Sequence, residues 1–189
     1  MLRTEEFTLY KFNARYTKSQ CVRLFTPETM QPSLSCRSLM KSYEKLFRMP
    51  YWDQNGKLIT EYINGATIGY GHLIANKKEF ENYKDGITDT QANILFSKDI
   101  YEPVQAVRYN VKVKITQHEF DGLVMFAFNV GVSAFKKSSV LKIINNESSG
   151  NVKAAWYRFR YSQGTISRGL INRRRAEMAV FFNGVYFKI

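Results

Sequence analysis

The spacing of hydrophobic residues predicts helices over much of this chain. Residues 38–48 place their apolar side chains on one helical face. That face consists of Leu39, Tyr43, Leu46 and Phe47. Ser38 is a suitable N-cap because its hydroxyl accepts from free backbone N–H groups, and Pro50 would end the helix. The pattern therefore predicts an amphipathic helix that begins near Ser38 and ends before Pro50.

Two capping boxes mark the starts of further helices. Thr88 and Gln91 form one, ahead of a helix predicted to run to about Val107. Thr116 and Glu119 form the other, and the apolar run FDGLVMFAFNVG that follows predicts a central, buried helix. Additional helices are predicted over 138–145, over 150–160 and from near Gly169 onward.

Glycines between β-branched residues give residues 56–72 a different pattern. This pattern predicts a small antiparallel hairpin or sheet. In residues 7–16 the apolar positions recur at spacings nearer two than 3.6, which favours a strand. Helices that are segregated from one small sheet indicate an α+β fold.

The chain changes character near Cys36. Residues 1–36 include Pro27 and Pro32 in a loop-like composition, and they are too few to hold a core of their own. Residues 37–189 are enough for one compact domain. We therefore expect an N-terminal extension of unknown role over 1–36, beside a domain formed by 37–189.

Charge and composition narrow the classes of function. The chain has 28 Lys and Arg against 16 acidic residues, a net charge of +12. Such a field attracts polyanions, which include nucleic acid, anionic membranes and the bacterial wall. No stretch approaches the roughly 18 apolar residues of a membrane span. The N-terminus has scattered charges and lacks the apolar segment of a signal peptide, so we expect export by another route.

Cysteine usage gives no indication of a metal site. Cys21 and Cys36 are the only cysteines, and their spacing differs from the Cys-x-x-Cys of zinc and redox sites. We therefore expect no metal and no cofactor. Two free thiols and a disulfide formed after export both remain open.

Glu44 and Asp53 are candidates for acid–base chemistry. Hydrolysis of a glycosidic bond requires one protonated carboxylic acid and one ionised carboxylate. Glu44 is predicted late on an amphipathic helix, where apolar neighbours favour the protonated form, whereas Asp53 is predicted in a polar loop. Two carboxylates nine residues apart are nevertheless common by chance, so the spacing alone decides little.

Residues 43–72 resemble the catalytic region of the phage lysozymes, glycoside hydrolase family 24. In that family a Glu on the first helix is followed nine residues later by an Asp or Cys, and then by a Thr that opens a T-I-G-x-G-H motif. Glu44, Asp53 and Thr67 occupy these positions, and Thr67 opens TIGYGH. Three later segments also resemble the family in the same order, namely 87–100, 115–145 and 169–182.

The resemblance implies a role for each matched residue. Glu44 would be the general acid that protonates the leaving oxygen. Asp53 would stabilise the developing oxocarbenium charge and orient a water or an intermediate, and Thr67 would help to hold that water. Arg173 and Tyr70 are expected to bind substrate. Whether the reaction inverts or retains configuration depends on the separation of the carboxyl groups and stays open.

The resemblance also implies the fold and the function. We expect a lysozyme-like α+β fold, with a small antiparallel sheet, a mainly helical lobe and a cleft between them. Residues 37–189 would be a catalytic domain, an endo-acting muramidase that hydrolyses the β-1,4 bond between N-acetylmuramic acid and N-acetylglucosamine. As a phage endolysin it would be a monomer made in the host cytoplasm that acts on peptidoglycan in the periplasm, with no nucleic acid partner.

Two departures from the family pattern affect these expectations. The family usually has its Asp and Thr six residues apart, so about eight residues, roughly LITEYING, are inserted between Asp53 and Thr67. Glu61 within the insertion is a rival to Asp53 as the second carboxylate. The second departure is Lys45, where the family commonly has Gly; its cation would disfavour a protonated Glu44 unless it points away.

Further expectations concern His72 and the triple arginine. We expect His72 to form an ion pair with Asp99 that holds the sheet to the next helix. Of the three consecutive arginines, the resemblance implies that Arg173 or Arg174 turns towards the catalytic Glu, and we favour Arg173. The remaining one, Arg175, would be solvated.

Other functions remain as alternatives at this stage. A lysozyme-domain antibacterial effector or bacteriocin would also lack a signal peptide. A catalytically dead wall-binding scaffold is disfavoured because Glu44, Asp53 and Thr67 are all present. A basic nucleic-acid binder is disfavoured because no recognised binding motif occurs.

Overall fold

The computed structural model describes residues 24–189, which form an α+β fold as predicted. The strand predicted over residues 7–16 and Cys21 lie outside the described residues. The helices are α1 (Leu34–Tyr43), α2 (Lys77–Glu81), α3 (Asp89–Asp99), α4 (Tyr101–Asn110), α5 (Gln117–Val130), α6 (Val132–Lys137), α7 (Ser139–Ile144), α8 (Val152–Tyr157) and α9 (Arg168–Asn183). The strands are β1 (Phe47–Trp52), β2 (Ala66–Gly69), β3 (His72–Leu73), β4 (Tyr161–Ser162) and β5 (Thr165–Ile166), and a 3-10 helix covers Pro27–Thr29.

The small sheet is antiparallel, with the order β1-β2-β3. Thr67 in β2 pairs with Tyr51 of β1 on one side and with Leu73 of β3 on the other. The register shifts between Phe47 and Tyr51, which marks an irregularity in β1. The central strand of the sheet is therefore the one that carries Thr67.

The helical lobe is built around α5, the central buried helix that the sequence predicts. Its capping box is present, with the Thr116 side chain accepting from Glu119 N–H, and all residues from Phe120 to Ala127 are buried. A Cβ added to Gly122 would lie 2.7 Å from the Cβ of Phe181 in α9. Because such an approach leaves no room for a side chain, glycine lets α5 and α9 pack backbone to backbone.

The sheet has a smaller core of its own, separate from that of the helical lobe. It consists of Ala66, Ile68, Ile74, Phe80, Ile87, Ala92 and Leu95. Tyr70 packs against both cores. The sheet and the helical lobe are thus two packed bodies that share a boundary near the TIGYGH segment.

The first helix differs from the prediction. It begins at Leu34 and is capped by Ser33, whose hydroxyl accepts from Cys36 N–H at 3.1 Å, so Ser38 lies inside the helix. It ends at Tyr43, because Lys45 has φ +31°, a left-handed conformation that an α-helix cannot contain.

The residues after Lys45 belong to the sheet. Leu46 lies between the helix and the sheet, and Phe47 opens β1, which also contains Pro50. A proline is compatible with a strand where its missing N–H is not needed for pairing. The prediction that Leu46 and Phe47 extend the apolar face of the helix was therefore wrong.

The helix predicted from Thr88 to about Val107 is two helices, α3 and α4, which meet at Ile100. Pro103 accounts for the break, since it has no N–H to donate to the carbonyl of residue 99 and its ring clashes with that carbonyl. The 3-10 helix, α2, α6 and the β4–β5 hairpin were not predicted.

The segment ahead of α1 packs onto the helical lobe. Met30 and Cys36 are buried in its core, and Cys36 is a free thiol. Phe25 and Ile115 exchange backbone hydrogen bonds of 2.8 and 3.0 Å. The predicted boundary between residues 36 and 37 falls inside α1, and whether 37–189 folds by itself stays a prediction. Among the described residues, no helix has both the length and the apolar character needed to span a bilayer.

Candidate active site

Glu44 lies at the C-terminal end of α1, where it is the C-cap residue. Its side chain is 22% exposed, and Arg173 Nη1 donates to Glu44 Oε1 at 2.5 Å. As predicted, Arg173 is the arginine of the triplet that reaches this carboxylate. The contact joins the first described α-helix to the last one.

Arg173 itself is held in a buried position. Its side chain is 9% exposed, and its Nε lies 3.7 Å from Glu177 Oε1, one turn along α9. Its guanidinium carbon lies 5.0 Å from the ring centroid of Tyr43. Within the described residues, its Nε and Nη2 have no hydrogen-bond partner. The bond to Glu44 is therefore the main directional contact of this guanidinium.

A buried polar cluster lies behind Arg173. Glu177 accepts hydrogen bonds from Trp156 Nε1 at 2.9 Å and from Arg174 Nη2 at 2.6 Å. Burial raises the pKa of Glu177, against the opposing effect of Arg174 and Arg173. Arg174 also donates to Asn129 and to the Phe159 carbonyl oxygen. Buried charges require such partners, so the cluster fixes the turn of α9 that carries Arg173.

The turn between β2 and β3 approaches the same carboxylate. Gly71 has φ +88°, and a Cβ added there would lie 3.7 Å from Glu44 Oε2. The two oxygens of Glu44 thus face different parts of the molecule. Oε1 meets α9, and Oε2 lies near the glycine turn of TIGYGH.

Asp53 and Thr67 are brought together by one backbone carbonyl. The Asp53 N–H donates to the Gly65 oxygen at 3.2 Å, and the Thr67 hydroxyl donates to the same oxygen at 3.1 Å. Gly65 has φ +88°, which favours glycine. Asp53 is exposed, whereas Thr67 is 3% exposed. Asp53 and Thr67 are fourteen residues apart in sequence, but this shared acceptor brings them close together in the structure.

The inserted residues extend the free edge of the sheet. Trp52 N–H donates to the Lys57 oxygen at 2.8 Å, and Ile59 N–H donates to the Pro50 oxygen at 3.0 Å. Residues 57–59 thus run antiparallel to β1 before the chain returns to Gly65. The insertion grows outward from β1, and the β1–β2 pairing that aligns Thr67 is preserved.

Tyr51 lies close to both carboxylates and was not singled out by the sequence. It is 7% exposed and pairs across the sheet with Thr67. Burial raises the pKa of Tyr51 to about 12, with additional contributions from the negative charges of Asp53 and Glu44. The phenol is consequently neutral near pH 7. No sequence pattern identifies it, because its position opposite Thr67 depends on the pairing of β1 with β2.

Two further residues were named from the sequence, Glu61 and Tyr70. Glu61 is exposed in the loop beyond residues 57–59. The Tyr70 ring packs edge-on against Phe96, with centroids 5.7 Å apart, and Lys41 Nζ lies 5.4 Å from its centroid. Tyr70 therefore bridges the two cores, and its role in binding substrate stays a prediction.

The structure also shows where Lys45 and the pair of His72 with Asp99 lie. Lys45 Nζ lies 4.8 Å from the centroid of the Phe47 ring, so its side chain follows β1. His72 Nδ1 lies 2.8 Å from Asp99 Oδ1, which confirms the predicted pair, and His72 Nε2 lies 3.3 Å from Glu79 Oε1. The pKa of His72 is raised, chiefly by the hydrogen bond to Asp99. Among the described residues, no group of three His, Cys, Asp or Glu is arranged to hold a metal ion.

Comparisons with known proteins agree with this geometry. The sequence profile of the family described as phage lysozyme matches residues 41–177. The endolysin of Bacillus phage PZA is 36% identical over 155 residues, which cover 82% of this chain and 56% of that protein. The chain thus spans about half the length of that relative.

Solved structures give the same answer. The endolysin from Escherichia coli O157:H7 phage FAHEc1 is 31% identical, with a TM-score of 0.68 over 85% of this chain and 98% of that one. The muramidase domain of SpmX from Asticaccaulis excentricus is 28% identical, with a TM-score of 0.66 over 81% of this chain and 98% of that one. With a profile match over most of its length and a lysozyme-like fold, this chain belongs to the phage lysozyme family.

Proposed function

We propose that this chain is an endo-acting muramidase that hydrolyses the β-1,4 bond between N-acetylmuramic acid and N-acetylglucosamine of peptidoglycan. The observation that carries the proposal is the Glu44 carboxyl group, which accepts from Arg173 and lies beside Gly71 in the TIGYGH segment that Thr67 opens. The names of the relatives, endolysin and muramidase, support the same activity.

Glu44 acts as the general acid in the proposed reaction. Its proton passes to the glycosidic oxygen as the bond to the anomeric carbon breaks, and the leaving sugar departs with a hydroxyl group. Because Glu44 is only 22% exposed, its proton is delivered from a partly enclosed position.

Asp53 and Thr67 serve the other side of the scissile bond. The ionised Asp53 carboxylate stabilises the oxocarbenium charge that develops on the sugar. The Thr67 hydroxyl, oriented by its bond to the Gly65 oxygen, helps to hold the water that completes hydrolysis. Tyr51, neutral and nearly buried, contributes a phenol beside both carboxylates.

The proposed biological role is that of a phage endolysin. The protein would be made in the cytoplasm of the bacterial host, reach the periplasm through pores formed by another protein, and lyse the cell as a monomer. The net charge of +12 supports attraction to an anionic wall.

The first test is the loss of turbidity of Gram-negative cells with a permeabilised outer membrane. Glu44→Gln preserves the shape of the side chain but supplies no acidic proton, so we expect lysis to slow by at least about 100-fold. Circular dichroism should show that the variant is folded. The matched control is Glu61→Gln, the same change at an exposed position, which is expected to lyse cells at close to the wild-type rate.

Each other outcome has a distinct meaning. Lysis by both wild type and Glu44→Gln removes Glu44 from the mechanism and indicates membrane disruption by charge. Loss of activity in Glu61→Gln assigns the second carboxylate to Glu61 instead of Asp53. A folded wild type that lyses no cells and releases no sugar ends from purified peptidoglycan contradicts the proposal.

A further inference from the structure

The residues after α9 fold back across the molecule. Gly184 has φ +63°, a left-handed conformation that ends α9 and reverses the chain, and Val185 N–H donates to the Ala179 oxygen at 3.2 Å. We call residues 185–189 the C-terminal strap. Tyr186 anchors it, since its hydroxyl donates to Asp121 Oδ2 at 2.7 Å.

Asp121 ties the strap to the start of the helix that carries Glu44. It is fully buried in α5, and its Oδ1 accepts from the backbone N–H of Ser33, the N-cap of α1, at 3.0 Å. Burial, together with the hydrogen bond to Asp121, raises the pKa of Tyr186, so this phenol remains a donor over the physiological range. The strap and α1 therefore share one buried carboxylate.

The far end of the strap meets the last residues of α1. Lys188 Nζ donates to the Ser42 oxygen at 2.6 Å. This carbonyl is in the last turn of the helix, where backbone oxygens lack helical partners and cations are favourable. Ile189 N–H donates to the Tyr43 hydroxyl oxygen at 3.2 Å, and Lys188 Nζ lies 5.2 Å from the centroid of the Tyr43 ring.

Tyr43 connects this end of the strap to Arg173. Its ring lies 5.0 Å from the Arg173 guanidinium carbon, so two cations contact one aromatic ring. Apart from its charge pairs with Glu44 and Glu177, the Arg173 guanidinium has no hydrogen bond from Nε or Nη2 among the described residues. The position of the Tyr43 ring therefore affects where this guanidinium rests against Glu44.

We infer that Lys188 is a positioning residue for the Glu44–Arg173 pair, acting through Tyr43. The strap fixes the Tyr43 ring and the end of α1, and the ring in turn restrains the guanidinium. Lys188 need not touch the substrate for this effect. The kinetic consequence rests on the proposed function, whereas the chain of contacts does not.

The first experiment measures the contact chain without any substrate. Exchange of the Arg173 Nε–H with water is followed by NMR in the wild type and in Lys188→Met, which preserves much of the side-chain length but removes the charge. Loss of a cation–π contact and a charged hydrogen bond at the strap should accelerate this exchange by about three- to tenfold. Lys188→Arg should restore slow exchange.

The matched control is Lys114→Met, the same change of charge at an exposed lysine outside the strap and α1. It should exchange as the wild type does. If Lys188→Met leaves the Arg173 exchange unchanged, the inference is overturned. Tyr43→Phe is a second variant, which preserves the ring but loses the acceptor for Ile189 N–H; it should give a smaller acceleration in the same direction.

The second experiment is kinetic, with soluble peptidoglycan fragments at high ionic strength, so that long-range attraction between charges is screened. In Lys188→Met we expect kcat to fall by about three- to tenfold, while KM changes by less than about twofold. Lys188→Arg, which retains a cation over the Tyr43 ring, should restore kcat. A general loss of packing would not be reversed by this change.

The two experiments separate the inference from the proposed function. A wild type without hydrolytic activity refutes the function, and the NMR result still decides whether Lys188 restrains Arg173. A hydrolytically active Lys188→Met with wild-type kcat refutes the positioning role and leaves the function intact.

Discussion

Lys45 shows how a single backbone angle shapes the candidate site. Its φ of +31° turns the chain from α1 into β1 directly after Glu44. Side chains with a Cβ are disfavoured in this region, and the phage lysozymes commonly have glycine at this position. Lysine in place of glycine therefore strains the backbone at this position. Its ammonium group lies over the Phe47 ring and does not point at Glu44.

Lys45→Gly should consequently stabilise the protein. Relief of the left-handed strain exceeds the added flexibility of the unfolded chain, and we expect the free energy of unfolding to rise by about 0.5–1 kcal/mol. Urea unfolding measures the change. Lys45→Ala is the control, because it removes the side chain but retains the Cβ; an equal gain in both variants would contradict the backbone explanation.

His72 is a second residue whose surroundings determine its behaviour. It lies between Asp99 of α3 and Glu79 of α2, at 2.8 and 3.3 Å, and so joins the sheet to two helices. The hydrogen bond to Asp99 is the largest cause of its raised pKa, and burial opposes it. A raised pKa in the folded state means that protonation of His72 and folding favour each other.

The stabilisation from His72 should therefore depend on pH in a defined direction. It is fully present below the unfolded value of 6.5 and is lost as the pH rises through the higher folded value. The loss of unfolding free energy in His72→Gln should be larger at about pH 6 than at about pH 9, by about 1 kcal/mol, the scale of one net hydrogen bond.

The control for this measurement is Asp99→Asn, which preserves the shape of the partner side chain but removes its charge. In this background the pH dependence of the His72→Gln effect should shrink. A His72→Gln difference that stays constant between the two pH values would show that His72 contributes packing only.

Among the helices and strands, features set by neighbouring residues were predicted from the sequence, whereas features that depend on the folded backbone were not. The capping boxes at Thr88 and Thr116 identified two helix starts, because each box needs only four consecutive residues. The end of α1 was misplaced, since the spacing of Leu46 and Phe47 fits a helix and a strand equally. Only the backbone at Lys45 separates the two conformations.

In the candidate site, too, residues in a local motif could be predicted from the sequence, whereas contacts between distant residues could not. Glu44, Asp53 and Thr67 lie in one continuous segment whose motif can be recognised. The contact between Tyr43 and Ile189 joins residues 146 positions apart, and no local pattern contains it. Glu177 was not predicted as a site residue. The sequence indicates only that it follows Arg173 and Arg174 by four and three residues, which places it within one helical turn of both.

The bounds of α1 lead to a prediction about the proposed boundary between residues 36 and 37. A chain that begins at Arg37 lacks the Ser33 cap, the first helical turn and the buried Met30 and Cys36. Loss of the cap costs about 1 kcal/mol, and loss of each buried side chain costs about 1–2 kcal/mol. We expect this chain to melt well below one that begins at Leu24. Equal melting temperatures would instead establish 37–189 as the independent folding unit.

At the scale of the whole molecule, the positive charge is unevenly distributed along the chain. Residues 101–189, which form most of the helical lobe, have 14 Lys and Arg against five acidic residues. Residues 44–100, which include the small sheet, have seven against eight. The long-range attraction to a polyanion therefore acts mainly on the helical lobe, and dissolved salt should screen it.

A pair of charge reversals should reveal this asymmetry. Lys136 and Lys137 are exposed at the end of α6, and changing both to Glu should weaken binding to purified anionic wall fragments by about tenfold at low salt. The matched control changes Lys77 and Lys78, exposed at the start of α2, in the same way and should weaken binding less. An equal loss in both would mean that only the net charge matters.

The contact between Glu44 and Arg173 spans 129 residues of sequence. A ribosome makes the acid well before its arginine partner, and domains fold as their residues emerge. An unfinished chain consequently contains the carboxyl group without the guanidinium, the polar cluster behind it or the strap. The order of translation thus delays assembly of the complete site until α9 has been made, even if the sheet has already folded.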